Sequence, residues 1–295
     1  MRKYKFILPC LITLSLILSS VTLSAQTTDY EKRYNNLIAR VGPSGLGVET
    51  LLNMWASADS LDRKMLQARF DFYFSKSQTE VVVTKPQKKY LGMDPLLSLT
   101  DSLGKSVYYY RELSYDDELF SKALGTAEKL VSLYPDELEY YFLKANALIA
   151  YEKENPDMAY ACLSDLIDVD QARKRPWNFE GEKMEKGFFA DAMQEYCRTF
   201  YTVGSTSSMK AFLHLSERMN KLYPANTYFL SNIATYYLVS ENNPKLALKY
   251  YNKVLKKVKN DEVALRNSLV AARKIGDAKL EAKYRQQLID NGYVK

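Results

Sequence analysis

The 295 residues contain one histidine, His214, and three cysteines, Cys10, Cys162 and Cys197. A zinc centre needs three or four His, Cys or carboxylate ligands, so a lone histidine without a close cysteine pair points to no metal site. No G-x-S-x-G or H-E-x-x-H motif occurs, and the glycines of GPSGLG (42–47) lack the lysine of a phosphate loop. Acid pairs such as Asp116-Asp117, and Asp59 with Asp62, suit the positive ends of helices. These absences predict a non-enzyme with no catalytic residues, no metal and no cofactor. Low-complexity linkers are missing as well, so one continuous body is expected.

Long apolar runs are confined to the first 25 residues. Arg2, Lys3 and Lys5 precede FILPCLITLSLILSSVTL, and Leu23-Ser24-Ala25 stands before Gln26. This basic, apolar, small-residue order is that of a secretory signal cleaved near Ala25; left uncleaved, its run of about 18 apolar residues would instead serve as a membrane anchor. Cys10 sits too early in the apolar run to be a lipidation site. Nothing after Gln26 reaches the roughly 20 apolar residues a membrane span requires. The expectation is a chain secreted across the inner membrane, periplasmic, with no membrane insertion once the signal is gone. Cys162 and Cys197 then fit either one disulfide in an oxidising compartment or two small apolar fillers.

The formal charge of +6 is uneven. Residues 245–295 carry 13 Lys or Arg against 5 acids, whereas residues 26–244 carry 25 bases against 30 acids. The basic end reads as a solvated helix face rather than a nucleic-acid site.

What the chain has in plenty is internal repetition. FSKALGTAEKLVSLYPDELEYYFLKA overlays MKAFLHLSERMNKLYPANTYFLSNIA, with Leu124, Glu128, Leu133, Tyr134, Pro135 and Ala145 recurring 89 positions on. After one deletion, Asn155, Pro156 and Ala159 recur 88 positions on as Asn243, Pro244 and Ala247. Blocks 120–170 and 209–260 are thus duplicates, the mark of a chain that stacks helical pairs.

Local patterns fill in the remainder. Helices are expected over TTDYEKRYNNLIARV, Val48–Trp55 and Leu61–Tyr73, the last capped by Ser60. Leu97–Thr100 and Ser106–Arg111 flank Asp-Ser-Leu-Gly and predict a β-hairpin near residues 96–112. From Tyr115 onward helices are expected to the end. They include a long one over Glu180–Tyr201, with Met184, Phe188, Ala192 and Tyr196 as its buried stripe. The domains are then a signal (1–25), an N-terminal helical region with the hairpin (26–118) and a repeat domain (119–295).

The duplicated helices resemble the tetratricopeptide repeat. Leu230, Ile233, Ala234 and Tyr237, followed by Ala247, Tyr251 and Val254, follow its alternation of small and large residues. Ala123, Ala127, Leu130, Pro135, Tyr141, Ala145, Leu148, Ala159, Leu163 and Leu166 form an earlier turn, and residues 264–288 a looser closing unit. The resemblance implies an all-α fold, a right-handed α-α superhelix or TPR-like solenoid, carrying the β-hairpin as an insertion. Members that clamp a carboxylate tail pair Lys with Asn. Asn146 is in place here, but Phe142 stands where the Lys should be, which excludes that clamp.

A stack of this kind implies a binding groove on the first helix of each unit. Projection places Phe142, Asn146, Ile149, Ser231, Thr235, Arg266 and Arg273 there, a mixture suited to an acidic or amidic peptide of a protein partner in the cell envelope. The 24 tyrosines support an alternative, carbohydrate capture or processing by Trp177, Phe179 and the Tyr108–Tyr110 strand. That alternative requires those rings to be exposed together.

Overall fold

The computed structural model describes residues 29–294. The signal segment lies outside them. No helix among the described residues is long and apolar enough to cross a membrane. Two compact units emerge. One holds the chain up to Val82 together with Arg111–Ala147, and the other holds Val83–Tyr110 together with the chain from Leu148 onward.

In the first unit, helix α1 (29–41) is followed by α2 (Val48–Ala58) and α3 (Arg63–Ser77). The cap of α3 is Asp62 and not Ser60: its carboxylate accepts from the Met65 amide at 2.9 Å. An Asp three residues before that amide satisfies an orphan donor and faces the positive helix end as well. Trp55 is buried against Tyr30 and Tyr34 and centres the apolar cluster that Met65, Leu66 and Phe72 complete.

A three-stranded antiparallel sheet, order β1-β3-β2, is inserted after α3. Its strands are β1 (Gln78–Lys85), β2 (Leu97–Thr100) and β3 (Ser106–Tyr115). The expected hairpin is present, with Leu97 opposite Tyr109 and Thr100 opposite Ser106. Strand β1, from the Val81–Val83 run, was not anticipated. The insertion leaves and rejoins the helices at one point, where Asp116 N–H donates to Ser77 O at 2.8 Å. Helix α4 (Asp117–Leu133) starts there, its first-turn amide at Leu119 capped by Asp116 at 2.9 Å. Helix α5 (Leu138–Glu152) crosses from the first unit into the second.

The second unit continues with α6 (Asp157–Ala172), α7 (Phe188–Val203), α8 (Thr206–Leu222), α9 (Thr227–Val239), α10 (Pro244–Lys257), α11 (Glu262–Ile275) and α12 (Ala278–Asp290). The long helix expected over Glu180–Tyr201 is a correction: residues before Phe188 form a two-stranded hairpin, β4 (Asn178–Phe179) with β5 (Glu182–Lys183). Glu180 and Gly181 both have positive φ, 51° and 84°, the geometry of a tight hairpin turn that a right-handed helix cannot include. The buried stripe of α7 accordingly runs through Phe189, Met193, Tyr196, Cys197 and Phe200.

The repeats pair as read from the sequence. Helices α7/α8, α9/α10 and α11/α12 form antiparallel hairpins, and α4–α6 correspond to α8–α10. The fold is an all-α, TPR-like helical repeat with a small antiparallel sheet. Helices α4 and α8 end at Leu133 and Leu222, two residues before Pro135 and Pro224. The capping of the duplicates differs. Asn243 caps α10, accepting from Leu246 N at 3.1 Å, whereas Pro156 cannot cap α6. Glu152 substitutes, accepting from Met158 N and Ala159 N at 2.7 Å each.

Small residues mark the crossings. Ala234, Ala247, Ala264, Ala271 and Ala272 are wholly buried within the α9–α12 core, against Tyr251, Val254 and Tyr284. A Leu in place of Ala234 adds three carbons where none fit and is expected to cost about 1–3 kcal/mol. Leu at exposed Lys249 is expected to stay within about 0.5 kcal/mol. Thermal melts of the two variants check this, and equal midpoints would refute the crossing.

Candidate interaction surface

The first helices of successive hairpins in the second unit, α7, α9 and α11, lie side by side. Gln194 of α7 and Asn232 of α9 exchange amide hydrogen bonds of 3.3 and 2.9 Å, which fixes the spacing of those two helices. On α11, Val263, Arg266, Val270 and Arg273 share one outward face at helical spacing, opposite buried Leu265 and Ala272. Val263 is 57% exposed and Val270 41%. On α9 the matching face carries Tyr228 and Val239, both more than half exposed, with Asn232 and Thr235 between them.

The seven residues projected into a groove have distinct surroundings. Phe142 is half-buried and Asn146 exposed, both on α5 in the first unit. Ile149 is half-buried in the second. Ser231 is 7% exposed, and its hydroxyl has no hydrogen-bond partner among the described residues. Thr235 donates to Ser231 O at 2.9 Å, which leaves the Tyr251 hydroxyl, also 2.9 Å away, as donor to Thr235. Arg266 is exposed and steadied by Glu262 at 2.7 Å and by the Tyr293 carbonyl at 2.8 Å. Arg273 donates to Glu281 at 2.8 Å, and Arg285 to the same carboxylate at 3.0 Å. Those two guanidiniums hold the Glu281 carboxyl below the usual range. Tyr228, Val263 and Val270 escaped the sequence reading because an apolar residue on a helix is by default assigned to the core. Only their packing shows them outside it.

The aromatic alternative meets a different geometry. Trp177 is 5% exposed: the Arg173 guanidinium covers its ring at 3.4 Å, Phe189 stacks near it, and its indole N–H donates to Asp170 at 2.9 Å. Tyr223 donates to the same aspartate at 3.2 Å. This cluster pins the 173–187 loop to α6 and leaves no ring face for a sugar. Phe179 packs on Phe188, and Tyr110 is buried beside Tyr90 with its hydroxyl on Gln87 O. The joint exposure that carbohydrate stacking requires is absent at Trp177.

His214 is exposed on α8 beside Tyr160. Among the described residues no group of three His, Cys, Asp or Glu is placed to hold a metal ion.

No protein-family model matches the chain, and no curated protein sequence does. Among solved structures the chain is similar to PilW, a widely conserved type IV pilus biogenesis factor, at 12% identity over 94% of this chain and 95% of that one, TM-score 0.39. It is similar to the MamA protein at 14% identity over 58% and 82%, TM-score 0.37. MamA from residue 41 to its end, from Desulfovibrio magneticus RS-1, gives 13% identity over 79% and 98%, TM-score 0.33.

Cys162 and Cys197 are not joined in a disulfide. Burial pushes the Cys197 thiol up to about 12, so the folded form keeps it neutral. In the unfolded chain it titrates near its ordinary value of about 8.5. Stability from this group is therefore complete below that pH and is lost as pH rises toward 12. In the chain from Gln26 onward, a thiol reagent at pH about 8 is expected to leave Cys197 unmodified until guanidinium unfolds it, and then to count two thiols. Absorbance of the released chromophore measures this, and a count of zero after unfolding would indicate a disulfide.

Proposed function

We propose that this chain is a non-catalytic protein-interaction scaffold whose α9–α11 face holds a segment of a protein partner in the cell envelope. The observation that carries this reading is the outward face of α11. Two valines and two arginines alternate there at helical spacing, and the valines gain nothing by exposure to water. Apolar contacts from Val263 and Val270 supply area, whereas Arg266 and Arg273, already oriented by Glu262 and Glu281, supply planar donors for carboxylates or amide carbonyls. Such a face suits a partner segment with alternating apolar and acidic residues, consistent with helix-on-face recognition. Thr235 at its edge and Ile149 on α5 are proposed as further contacts of the second unit, Phe142 and Asn146 as a separate contact of the first unit, whereas buried Ser231 would support the α9/α10 packing. The envelope location rests on the order of residues 1–25.

Capture from envelope extract tests the proposal. Immobilised chain carrying Val270→Asp and Arg266→Ala is expected to lose at least ten-fold of a partner that the unaltered chain retains, with its melting midpoint preserved. Equal recovery by both would remove the α11 face from consideration.

A further inference from the structure

The internal duplication supplies its own control for reading surface charge. Helix α6 carries four aspartates and no base, and its duplicate α10 carries five lysines and no acid. Position by position, 88 residues apart, Asp157, Ala161, Asp165 and Asp168 stand where α10 has Lys245, Lys249, Lys253 and Lys256. The buried positions of the same helices keep their character: Ala159 with Ala247, Leu163 with Tyr251, Leu166 with Val254. Packing was retained while the outer faces diverged to opposite sign.

The four lysines fall within about 80° of arc and span about 17 Å of helix, opposite the buried stripe of Leu248, Tyr251 and Val254. All are exposed, and none forms an ion pair among the described residues. Lysines four apart on one helix repel and destabilise it, and among the described residues no carboxylate pairs with them. On α6, Asp157, Asp165 and Asp168 are exposed in turn, with Asp168 bonded to Arg218 of α8 and Asp157 accepting from Ser207.

Both helices belong to one layer. Arg218 ties α8 to α6, and Lys257 at the end of α10 donates to Pro224 O at the end of α8. The layer therefore reads acidic, mixed and basic across α6, α8 and α10, with Lys210, Glu217 and Lys221 as the mixed charges in the middle.

We propose that this layer is a self-association surface and that its occupant is a second copy of this chain. A two-fold axis running along α8 inverts the lateral order and keeps helix direction, so that α6 of one copy lies over α10 of the other on both sides. Equivalent positions then meet: Asp157 with Lys245, Asp165 with Lys253, Asp168 with Lys256. The match follows from the duplication itself, because both stripes inherited the same spacing. The contact is isologous and closes at a dimer.

Sedimentation equilibrium of the purified chain tests this in about 0.01 M and about 1 M salt, where the Debye length is about 30 and about 3 Å. A dimer at low salt that dissociates at least ten-fold more readily at high salt is expected. Changing Lys245, Lys249, Lys253 and Lys256 to Glu is expected to leave a monomer, as is Asp157→Lys with Asp165→Lys. An equimolar mixture of these two variants is expected to recover the dimer, since each supplies the sign the other lost, and far-ultraviolet circular dichroism verifies that both are folded. A monomer at low salt, or a mixture that stays monomeric, overturns the proposal. Binding of the unaltered chain to polyglutamate or to phosphatidylglycerol vesicles without self-association also overturns it, by assigning the lysines to another polyanion.

Discussion

Close approach of paired helices through alanine is the constraint on which the rest of this structure depends. Ala123 and Ala127 of α4, Ala159 of α6, Ala234 of α9, Ala247 of α10, and Ala264, Ala271 and Ala272 of α11 have no accessible surface. A methyl at each crossing permits an interaxial distance near the lower end of the about 8–10 Å range. Larger neighbours such as Tyr251 and Phe229 then fill the space that the narrow crossing leaves beside it. Because each hairpin uses its inward face for this packing, the outer faces are free to vary. The difference in charge between α6 and α10, and the valine–arginine face of α11, are variations of that kind.

Tyrosine does the bridging work in these cores. Tyr110, Tyr140, Tyr251 and Tyr284 are almost completely buried, and each hydroxyl meets a polar partner: Gln87 O, Arg63, Thr235 and Asn252. A ring buries large apolar area, and its hydroxyl lets the far end reach a polar group without an unsatisfied atom. Arg63 extends the pattern in the first unit, set between the Tyr134 and Tyr140 rings and paired with Glu139. Part of the abundance of tyrosine is thereby accounted for by packing.

The inserted sheet shows how a repeat tolerates additions. Its stem closes through the Ser77–Asp116 hydrogen bond, so α3 and α4 still meet as a hairpin. Its tip is held within the second unit: Lys85 pairs with Glu154 at 3.2 Å and lies over the Tyr90 ring at 4.0 Å. Gly92 has φ 77°, and a Cβ there would meet the Thr202 methyl at 2.4 Å, so this approach of loop to α7 requires glycine. Loop closure costs little for such an insertion once its two ends are adjacent.

Repeat architecture, helix pairing, the Leu97–Thr100 hairpin and the alanine crossings were legible in the residues, because periodicity and small-large alternation are local consequences of helix geometry. The hairpin at Glu180–Gly181 was not. Apolar residues at four-residue intervals begin at Met184, directly after it, and only the backbone at positive φ at Glu180 and Gly181 separates a turn from a longer helix there. The candidate surface was legible in part. Arg266 and Arg273 are exposed, whereas Ser231 is buried, Trp177 is covered by Arg173, and Val263 and Val270 stand in solvent. Sequence alone determined which residues share a helix face. Which faces meet, and which are left to solvent, depends on neighbours far along the chain, and so was decided by tertiary packing.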